Sequence, residues 1–568
     1  MGTAVVSVLS LILVVGVALA VVAVVNRNHG SFDGENLSPK MKAVATICSH
    51  TDYQEECQNT LGSIAHNSSS DDPKEYIKSA IMATVEEFKK GFKLTDSLMV
   101  EAGNNSFMKM SVEDCKDLLQ FAVEELQASY SSVGDSDERS QEERVADINT
   151  WLSAVISYQQ SCLDGLGEAN PKLKETMEGG IDIARKLTSN ALAIVADVSQ
   201  VLGDYGLQLK VQPTGRRLLG NTEVGSDGFP TWLSGADRRL LAAAKGGGGG
   251  KVTPNAVVAK DGSGQYKTIA AALAAAPKNS KTRHVIYVKA GIYNEFIIVT
   301  KDYTNIFMYG DGPRKTIVTG RKSFRDGITT MNTATFSAVG NGFLCKAMGF
   351  QNTAGPEGHQ AVALRVQSDR SAFFNCRMDG YQDTLYVHAN RQFYRNCVIS
   401  GTVDFIFGDS NTIIQNSLII VRRPMDNQQN TVTANGRKEN KEFSGLVIHN
   451  CRIVPEQKLF ADRFKIPTFL GRPWKEYALT VIMETTLGDF IQPAGYMPWQ
   501  GTFALDTCQY LEYANRGPGA NTARRVKWKG VRVMGRNEAL KFTAGSPFLL
   551  GKEWLPATGG NFLLGLKN

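Results

Sequence analysis

The first part of the chain, from about residue 38 to residue 205, carries apolar residues at helical spacing. Within four segments an apolar side chain recurs every three or four residues, with polar residues between. The marking residues are Ile77, Ile81, Val85 and Phe88; Leu118, Leu119, Ala122, Val123 and Leu126; Trp151, Val155, Tyr158 and Cys162; and Ala184, Leu187, Ala191, Ile194, Val195 and Val198. This pattern predicts an all-α four-helix bundle whose apolar stripes form the core.

From Val252 onward the pattern changes to short β-branched and aromatic runs separated by Gly, Asn and Asp. Such runs occupy residues 284–288, 296–299, 304–308, 316–318 and 334–336, among others. More than 300 residues of this kind, without long alternating helices, favour a right-handed parallel β-helix over a barrel or a βαβ sheet. The alanine-rich stretch 268–276 is predicted to be a helix, placed where a solenoid needs a cap.

One local pattern recurs in this second part with a polar residue at a constant offset. Four asparagines close short apolar runs at spacings of 23, 21 and 20 residues: Asn352, Asn375, Asn396 and Asn416. A repeat of this length is typical of one coil of a β-solenoid. Eight residues after the first three asparagines stand Gln360, Asp383 and Asp404. Neighbouring strands lie about 4.8 Å apart, so we expect these three side chains to form a polar column.

The expected neighbourhood of Asp383 and Asp404 favours chemistry. Two carboxylates this close do not both ionise without cost, so one is expected to hold a proton near neutrality. The other is then expected to stay charged beside a cation or hydrogen-bond donors. A lone Asp in such a repeat is more often a turn former. Two aspartates at one offset instead suggest an acid and a base.

An apolar leader and a polar linker predict the domain boundaries. Residues 4–25 are almost wholly apolar and long enough to cross a bilayer as a helix, so we expect a signal anchor or a signal peptide. Residues 211–251 contain a five-glycine run and two copies of Arg-Arg-Leu-Leu, at 216–219 and 238–241, which indicate a linker open to a processing protease. The predicted segments are the leader 1–35, the helical domain 36–210, the linker 211–251 and the β-helix domain 252–568.

The nine cysteines divide between the two predicted domains. Four belong to the helical part: Cys48, Cys57, Cys115 and Cys162. In an oxidising compartment they predict two disulfides, and three pairings are open. The simplest pairing joins Cys48 to Cys57 and Cys115 to Cys162.

Glycosylation sequons and charge bear on the compartment and on the partners. Sequons at Asn67 and Asn104 fit a secreted, glycosylated segment. The formal net charge of +6 is modest, and neither its clusters nor the aromatic spacing resembles a nucleic-acid footprint. We therefore expect no nucleic-acid partner and a mild preference for acidic surfaces or polymers.

Five motifs of the second part resemble those of plant pectin methylesterases. They are Gly-Ile-Tyr-Asn-Glu at 291–295, Gln-Ala-Val-Ala-Leu-Arg at 360–365, Gly-Tyr-Gln-Asp-Thr-Leu at 380–385, Val-Asp-Phe-Ile-Phe-Gly at 403–408 and Leu-Gly-Arg-Pro-Trp at 470–474. The helical part resembles the pectin methylesterase and invertase inhibitor family in its four cysteines and its helices. The whole chain is similar to enzymes made with an inhibitor-like pro-region and cut at Arg-Arg-Leu-Leu sites before they reach the cell wall.

The resemblance implies a role for each candidate catalytic residue. Asp404 matches the family nucleophile, which attacks the carbonyl of a galacturonic acid methyl ester. Asp383 matches the proton donor that later acts as a base. Gln382, the transition-state stabiliser, and Gln360 match the amides that hydrogen-bond the oxyanion. Arg472 matches the guanidinium that pairs with the nucleophile.

The same resemblance implies the substrate contacts and the partners. Four residues match substrate-binding positions: Thr330, Gln360, Arg472 and Trp474. Tyr386 and Trp499 are further candidates for stacking on sugar rings, with core packing as the alternative. The implied partners are methyl-esterified homogalacturonan, a proteinaceous inhibitor of the same family as the pro-region, and a processing protease. No cofactor and no metal are implied, and the expected location is the cell wall, after secretion.

One position departs from the family pattern. Family members usually join a cysteine at the position of Cys397 to a second one about twenty residues later, and here Ser417 stands at that place. We therefore expect Cys397 to be unpaired. The loss of such a clamp would cost about 2 to 4 kcal/mol of stability at most.

Other functions make different demands on the sequence. A serine hydrolase of the α/β type needs a Gly-x-Ser-x-Gly elbow, which is absent. An inverting polygalacturonase needs carboxylates about 6.5 to 9.5 Å apart, farther than adjacent coils would place them. A calcium-dependent lyase needs an acidic cluster, whereas this column mixes amide and acid. A non-catalytic or glycosidic-bond-cleaving pectin-binding β-helix remains the alternative.

Overall fold

The computed structural model describes residues 39–67, 73–134, 141–196 and 253–567. The chain divides into two compact units, Met1–Asn221 and Thr222–Asn568, and each is described by itself. The predicted leader, the linker and both Arg-Arg-Leu-Leu sites lie outside the described residues. Within the described ranges no helix has the length and apolar character that a membrane crossing requires.

The first unit is helical, which confirms the predicted all-α class. Its described part contains seven helices: α1 (Pro39–Cys48), α2 (Gln54–Asn67), α3 (Pro73–Glu101), α4 (Ser106–Gly134), α5 (Gln141–Ala169), α6 (Pro171–Gly180) and α7 (Asp182–Ala196). The four predicted amphipathic segments correspond to α3, α4, α5 and α7. The three others are shorter than 15 residues, and their apolar pattern was too brief to predict them.

Two disulfides cross-link neighbouring helices of this unit. Cys48 is bonded to Cys57, which joins α1 to α2, and Cys115 is bonded to Cys162, which joins α4 to α5. All four cysteines are buried, so each bridge lies in the apolar interior of the unit.

The second unit is a parallel β-helix, as predicted, and its strands form three sheets. Its strands are numbered in chain order. The first sheet contains β1 (Ala256–Val258), β2 (His284–Val288), β5 (Ile306–Gly310), β8 (Leu344–Lys346), β11 (Ser371–Phe374), β14 (Arg391–Arg395), β17 (Asn411–Gln415), β20 (Gly445–His449), β23 (Leu479–Met483), β25 (Gln509–Tyr513) and β26 (Val531–Val533).

The other two sheets complete each coil. The second contains β4 (Ile297–Val299), β7 (Phe336–Ala338), β10 (Leu364–Val366), β13 (Leu385–Val387), β16 (Ile406–Gly408), β19 (Asn430–Asn435) and β22 (Thr468–Gly471). The third contains β3 (Gly291–Asn294), β6 (Thr316–Gly320), β9 (Gly349–Asn352), β12 (Arg377–Asp379), β15 (Val398–Gly401), β18 (Leu418–Val421), β21 (Arg452–Pro455) and β24 (Thr486–Leu487). Short helices flank the strands: α8 (Ile269–Ala274), α9 (Gln457–Phe460), α10 (Arg536–Ala539) and α11 (Gly551–Trp554).

The core of the β-helix is built from equivalent residues of successive coils. Leu364, Leu385 and Ile406 occupy one register position in three coils, and all three are fully buried in one apolar cluster. Phe373 and Tyr394 are register partners, and their rings stack with centroids 4.9 Å apart. Side chains of one shape thus repeat along the axis, as period-two alternation in each strand predicts.

Asparagines make the turn between the first and the third sheet. Asn375, Asn396 and Asn416 have left-handed φ angles of 52°, 53° and 52°, a conformation that Asn adopts more readily than most residues. The Asn416 amide donates to the Asn396 side-chain oxygen at 2.6 Å. Asn352 does not belong to this set, because it ends β9 and is buried. Its coil places Ala347 at the turn, with a φ of 58°.

Candidate active site

Asp383 and Asp404 come from neighbouring coils at the same register position. Leu385 of β13 pairs with Ile406 of β16, and each aspartate lies two residues before its strand. The Asp383 backbone N–H donates to the Val403 carbonyl at 3.1 Å. Both aspartates have left-handed φ angles, 62° and 48°, and both are more than nine-tenths buried. Stacking therefore brings together two carboxyl groups that are 21 residues apart in the sequence.

Gln360 does not share this register position. The residue two before β10 is Val362, so Val362 is the counterpart of Asp383 in the preceding coil. Gln360 lies two residues earlier and is half-buried. Its offset was counted from Asn352, which ends a strand instead of making the turn. The predicted column thus holds for the two aspartates and is wrong for Gln360.

Both oxygens of the Asp404 carboxylate are held by side chains from later coils. Arg472 Nε donates to Oδ1 at 2.8 Å and Arg472 Nη2 donates to Oδ2 at 2.6 Å. The Thr431 hydroxyl donates to Oδ1 at 2.6 Å and accepts the Asp404 backbone N–H at 2.8 Å. A two-pronged guanidinium contact and a buried hydroxyl fix the carboxylate in one orientation.

Arg472 lies between Asp404 and an aromatic ring. Its guanidinium carbon is 4.3 Å from the centre of the Trp499 ring, a cation–π geometry. Burial lowers the pKa of Arg472, but the charge and hydrogen bonds of Asp404 raise its pKa above the usual range. The guanidinium therefore stays charged.

A cleft of about 310 Å³ opens beside the Asp404 contacts. Its lining residues are His359, Gln382, Val403, Gln428, Gln429, Thr431, Arg472 and Met497. Two predicted site residues, Gln382 and Arg472, line the cleft. Asp404 is hydrogen-bonded to two of the lining residues, Thr431 and Arg472. Thr431 was not among the predicted site residues, because its coil is longer than the repeat, although it has the register position of Asp404 in the next coil.

The predicted substrate-contacting aromatic residues lie on one face of the second sheet. Tyr386 is 5% exposed and stacks on Phe407 with centroids 4.3 Å apart, so it packs in an aromatic cluster instead of presenting an open ring face. Trp474 is half-buried and meets Phe407 edge-on.

The hydroxyl oxygen of Thr330, the other predicted substrate contact in this region, is buried without a hydrogen-bond partner among the described residues.

The remaining predictions from the sequence concern the unpaired Cys397 and the two glycosylation sequons. Cys397 is a buried free thiol, and its backbone N–H donates to the hydroxyl of Ser417 at 3.0 Å. Asn104 is exposed in the turn between α3 and α4, where a glycan would meet solvent. The side chain of Asn67 lies outside the described part of the structure.

Comparison with known proteins assigns a family to each unit. Residues 255–552 match the Pectinesterase family model, and residues 42–194 match the model of the Plant invertase/pectin methylesterase inhibitor family. The chain is 43% identical over 566 aligned residues to Pectinesterase 4 of Arabidopsis thaliana, an alignment that covers 93% of this chain and 94% of the relative.

A solved structure supports the same assignment. The pectin methylesterase from carrot is 52% identical, with a TM-score of 0.55, and the match covers 56% of this chain and all of that chain. The chain therefore belongs to the pectinesterase family, and its pectinesterase domain follows a domain of the plant invertase/pectin methylesterase inhibitor family.

Proposed function

We propose that the chain removes methyl esters from cell-wall homogalacturonan, releasing methanol, with Asp404 as the nucleophile and Asp383 as the acid and base. The observation that carries the proposal is the Asp404 carboxylate, oriented by Arg472 and Thr431 and placed one coil from a second buried aspartate. A charged, fixed carboxylate next to a proton carrier is what nucleophilic cleavage of an ester needs.

In the first step an Asp404 oxygen attacks the ester carbonyl carbon. The carbonyl oxygen becomes an oxyanion, for which Gln382, a lining residue of the cleft, is one predicted amide donor and Gln360 is the other. Collapse of this intermediate breaks the bond to the methoxy oxygen, and Asp383 gives that oxygen a proton. Methanol leaves, and the uronate carbonyl stays bonded to Asp404 as an acyl-enzyme.

In the second step water replaces Asp404. Asp383, now a carboxylate, takes a proton from the water molecule while the water oxygen attacks the acyl carbon. The bond to Asp404 breaks, which returns that carboxylate to Arg472 and releases the free uronic acid. Arg472 keeps its charge throughout, so its contribution is to hold and stabilise Asp404 in both steps.

Product analysis tests this function against its alternatives. The full chain, before and after cleavage by a dibasic-specific protease, is incubated with methyl-esterified pectin. We expect methanol release without any shortening of the polymer. New reducing ends without methanol would indicate glycosidic-bond cleavage, unsaturated uronides would indicate a lyase, and binding without any product would indicate a non-catalytic protein.

We further propose that the helical domain restrains the enzyme until cleavage in the linker and that the mature enzyme acts in the cell wall after secretion. The match to an inhibitor family, the repeated Arg-Arg-Leu-Leu sites and the two disulfides support this view. The test compares the methanol-releasing activity and the export of uncut and cut protein. Equal activity and equal export of the two forms would contradict it.

A further inference from the structure

Asp409 and Glu442 form a buried carboxyl pair next to the site. Asp409 follows β16, and Glu442 belongs to residues 436–444, here called the 436–444 loop, which connect β19 to β20. The two residues are 5% and 3% exposed. Their carboxyl groups lie within hydrogen-bond reach of each other. Neither residue has a role in the mechanism above, so the pair needs an explanation of its own.

One oxygen of each carboxyl group accepts hydrogen bonds from residues of the 436–444 loop. Glu442 Oε1 accepts the backbone N–H groups of Lys438 at 2.8 Å and Glu439 at 2.6 Å. Asp409 Oδ1 accepts the hydroxyl of Ser444. The other two oxygens, Glu442 Oε2 and Asp409 Oδ2, are buried and receive no hydrogen from the described residues. A single proton between them would satisfy both.

The charge balance agrees with one shared proton. Burial raises the pKa of Glu442 well above its usual range, and the charge of Asp409 raises it further. Burial also raises the pKa of Asp409. Arg437 is 8% exposed, and it contributes one positive charge. A pair that holds one proton carries one negative charge, so the three groups together are neutral.

The 436–444 loop is fastened to the segment that carries Trp474. The Tyr477 backbone N–H donates to the Arg437 carbonyl at 3.1 Å, and Lys438 forms an ion pair with Glu476. A Cβ atom at Gly436 would lie 2.9 Å from the Trp474 ring. The indole therefore packs directly on the backbone of the loop.

We propose that a proton shared by Asp409 and Glu442 holds the 436–444 loop against Trp474 and thereby positions the indole as a substrate-binding wall of the active site. The inference rests on the function proposed above. Glu442 is a positioning residue that acts through Trp474. When the proton is lost, two buried negative charges face a single arginine, and repulsion displaces the loop from the ring.

Other titratable or charged groups lie on the segments that flank the pair. They are Arg437, Lys438, Glu439 and Lys441 on the loop, Lys475 and Glu476 after Trp474, and His388, which has the register position of Asp409 in the preceding coil. Burial holds the pKa of His388 well below its usual range, so this ring stays neutral while the carboxyl pair loses its proton. A matched variant of Glu442 itself separates the pair from all these groups.

Glu442→Gln is that variant, because a Gln amide reproduces the shared proton at every pH. Its oxygen can accept the same two backbone N–H groups, and its NH2 group can donate to Asp409 Oδ2. We expect the parent KM for methyl-esterified pectin to rise about tenfold as the pH increases above the usual range of a glutamic acid and the pair loses its proton. Across the same range the KM of Glu442→Gln should change less than about twofold, and the kcat profiles of the two proteins should be parallel.

A second readout does not depend on activity. The fluorescence of Trp474, taken as the parent spectrum minus that of Trp474→Phe, should show a pH transition in the parent that Glu442→Gln lacks. The same transition in both proteins, no transition in the parent, or parallel KM profiles would each overturn the inference. A preparation that releases no methanol but shows the Glu442-dependent transition would contradict the proposed function while supporting the shared proton.

Discussion

The two units of this chain differ in how far along the sequence some of their buried polar groups find partners. In the helical unit the hydroxyls of Ser129 and Thr150 donate to backbone carbonyls four residues earlier in the same helix. In the β-helix, Asp404 is held by residues 27 and 68 positions away in the sequence. A helix can satisfy its polar side chains locally, whereas stacked coils bring distant groups together. Chemistry therefore has its place in the β-helix.

The units also differ in what holds their cores. The helical unit has two disulfides, while the five cysteines of the β-helix are free and buried. The β-helix instead contains buried ion pairs, such as Arg391 with Asp369, whose side chains are 1% and 6% exposed. Covalent clamps and buried charges should respond differently to substitution, to reduction and to pH.

The largest effect should follow the loss of the proposed nucleophile. Asp404→Asn keeps the shape of the side chain but removes its charge, so we expect kcat for methanol release to fall by about 10⁴-fold. Asp489→Asn is the matched control, because the Asp489 side chain is exposed and forms an ion pair with Arg463 at the surface. The control should stay within about twofold of the parent. An equal loss of kcat in both variants would contradict a specific role for Asp404.

Breaking the Arg391–Asp369 pair should destabilise the β-helix unit most. Asp369→Asn leaves Arg391 buried without its partner, so we expect the free energy of unfolding to fall by about 3 to 5 kcal/mol. Urea unfolding followed by tryptophan fluorescence measures this change. A loss below about 1 kcal/mol, the value of an exposed pair, would contradict it.

The same pair predicts a pH dependence of stability. Burial raises the pKa of Asp369, but the charge and hydrogen bonds of Arg391 lower it well below its usual range. A carboxyl group with a depressed pKa stabilises the folded state above its pKa in the unfolded chain, which is about 4. This contribution is lost as the pH falls further. Parent stability should therefore decrease below about pH 4, and the slope should be shallower in Asp369→Asn.

Removing either disulfide should destabilise the helical unit, and removing the one that closes the longer loop should cost more. Cys115 and Cys162 are separated by 47 residues, and Cys48 and Cys57 by 9. Loop-closure entropy predicts losses of about 4 and about 3 kcal/mol for the paired Cys→Ala variants. The helical circular-dichroism signal during urea unfolding measures both. A larger loss for the Cys48–Cys57 pair than for the Cys115–Cys162 pair would contradict the entropic account. Asp369→Asn is the comparison variant, because its substitution lies in the β-helix unit.

The smallest predicted effect concerns Thr431. Thr431→Val removes a buried hydroxyl that donates to Asp404 and accepts its backbone N–H, so we expect kcat to fall by about tenfold. Thr431→Ser keeps the hydroxyl and should restore most of the activity. If Thr431→Ser were as impaired as Thr431→Val, the methyl group, and not the hydrogen bonds, would be the important part.

Strands and turns of this fold could be predicted because their signals are local. The run at 284–288 reads as a strand by composition, and the structure has β2 over the same residues. Asn375 and Asn396 mark turns because Asn tolerates a left-handed backbone. Asp383 and Asp404 could be aligned because their two coils are almost equal in length.

The rest of the site depends on coil lengths that vary. The chain between Asp404 and Thr431 is longer than one repeat of about twenty residues, so counting could not find Thr431. Gln360 was misplaced because Asn352 resembles a turn asparagine in its local sequence and yet ends a strand of another sheet. Arg472 lies so far along the chain that only its motif indicated a role.

A cross-linking experiment tests the register of the two aspartates directly. Equivalent positions of adjacent coils lie close enough for a disulfide, which needs Cα atoms about 4.4 to 6.8 Å apart. In the double variant Asp383→Cys with Asp404→Cys, mild oxidation should join positions 383 and 404, as shown by mass spectrometry of unreduced peptides. The variant Gln360→Cys with Asp383→Cys should remain unjoined. A bond between 360 and 383, with none between 383 and 404, would contradict the stacking on which the whole site depends.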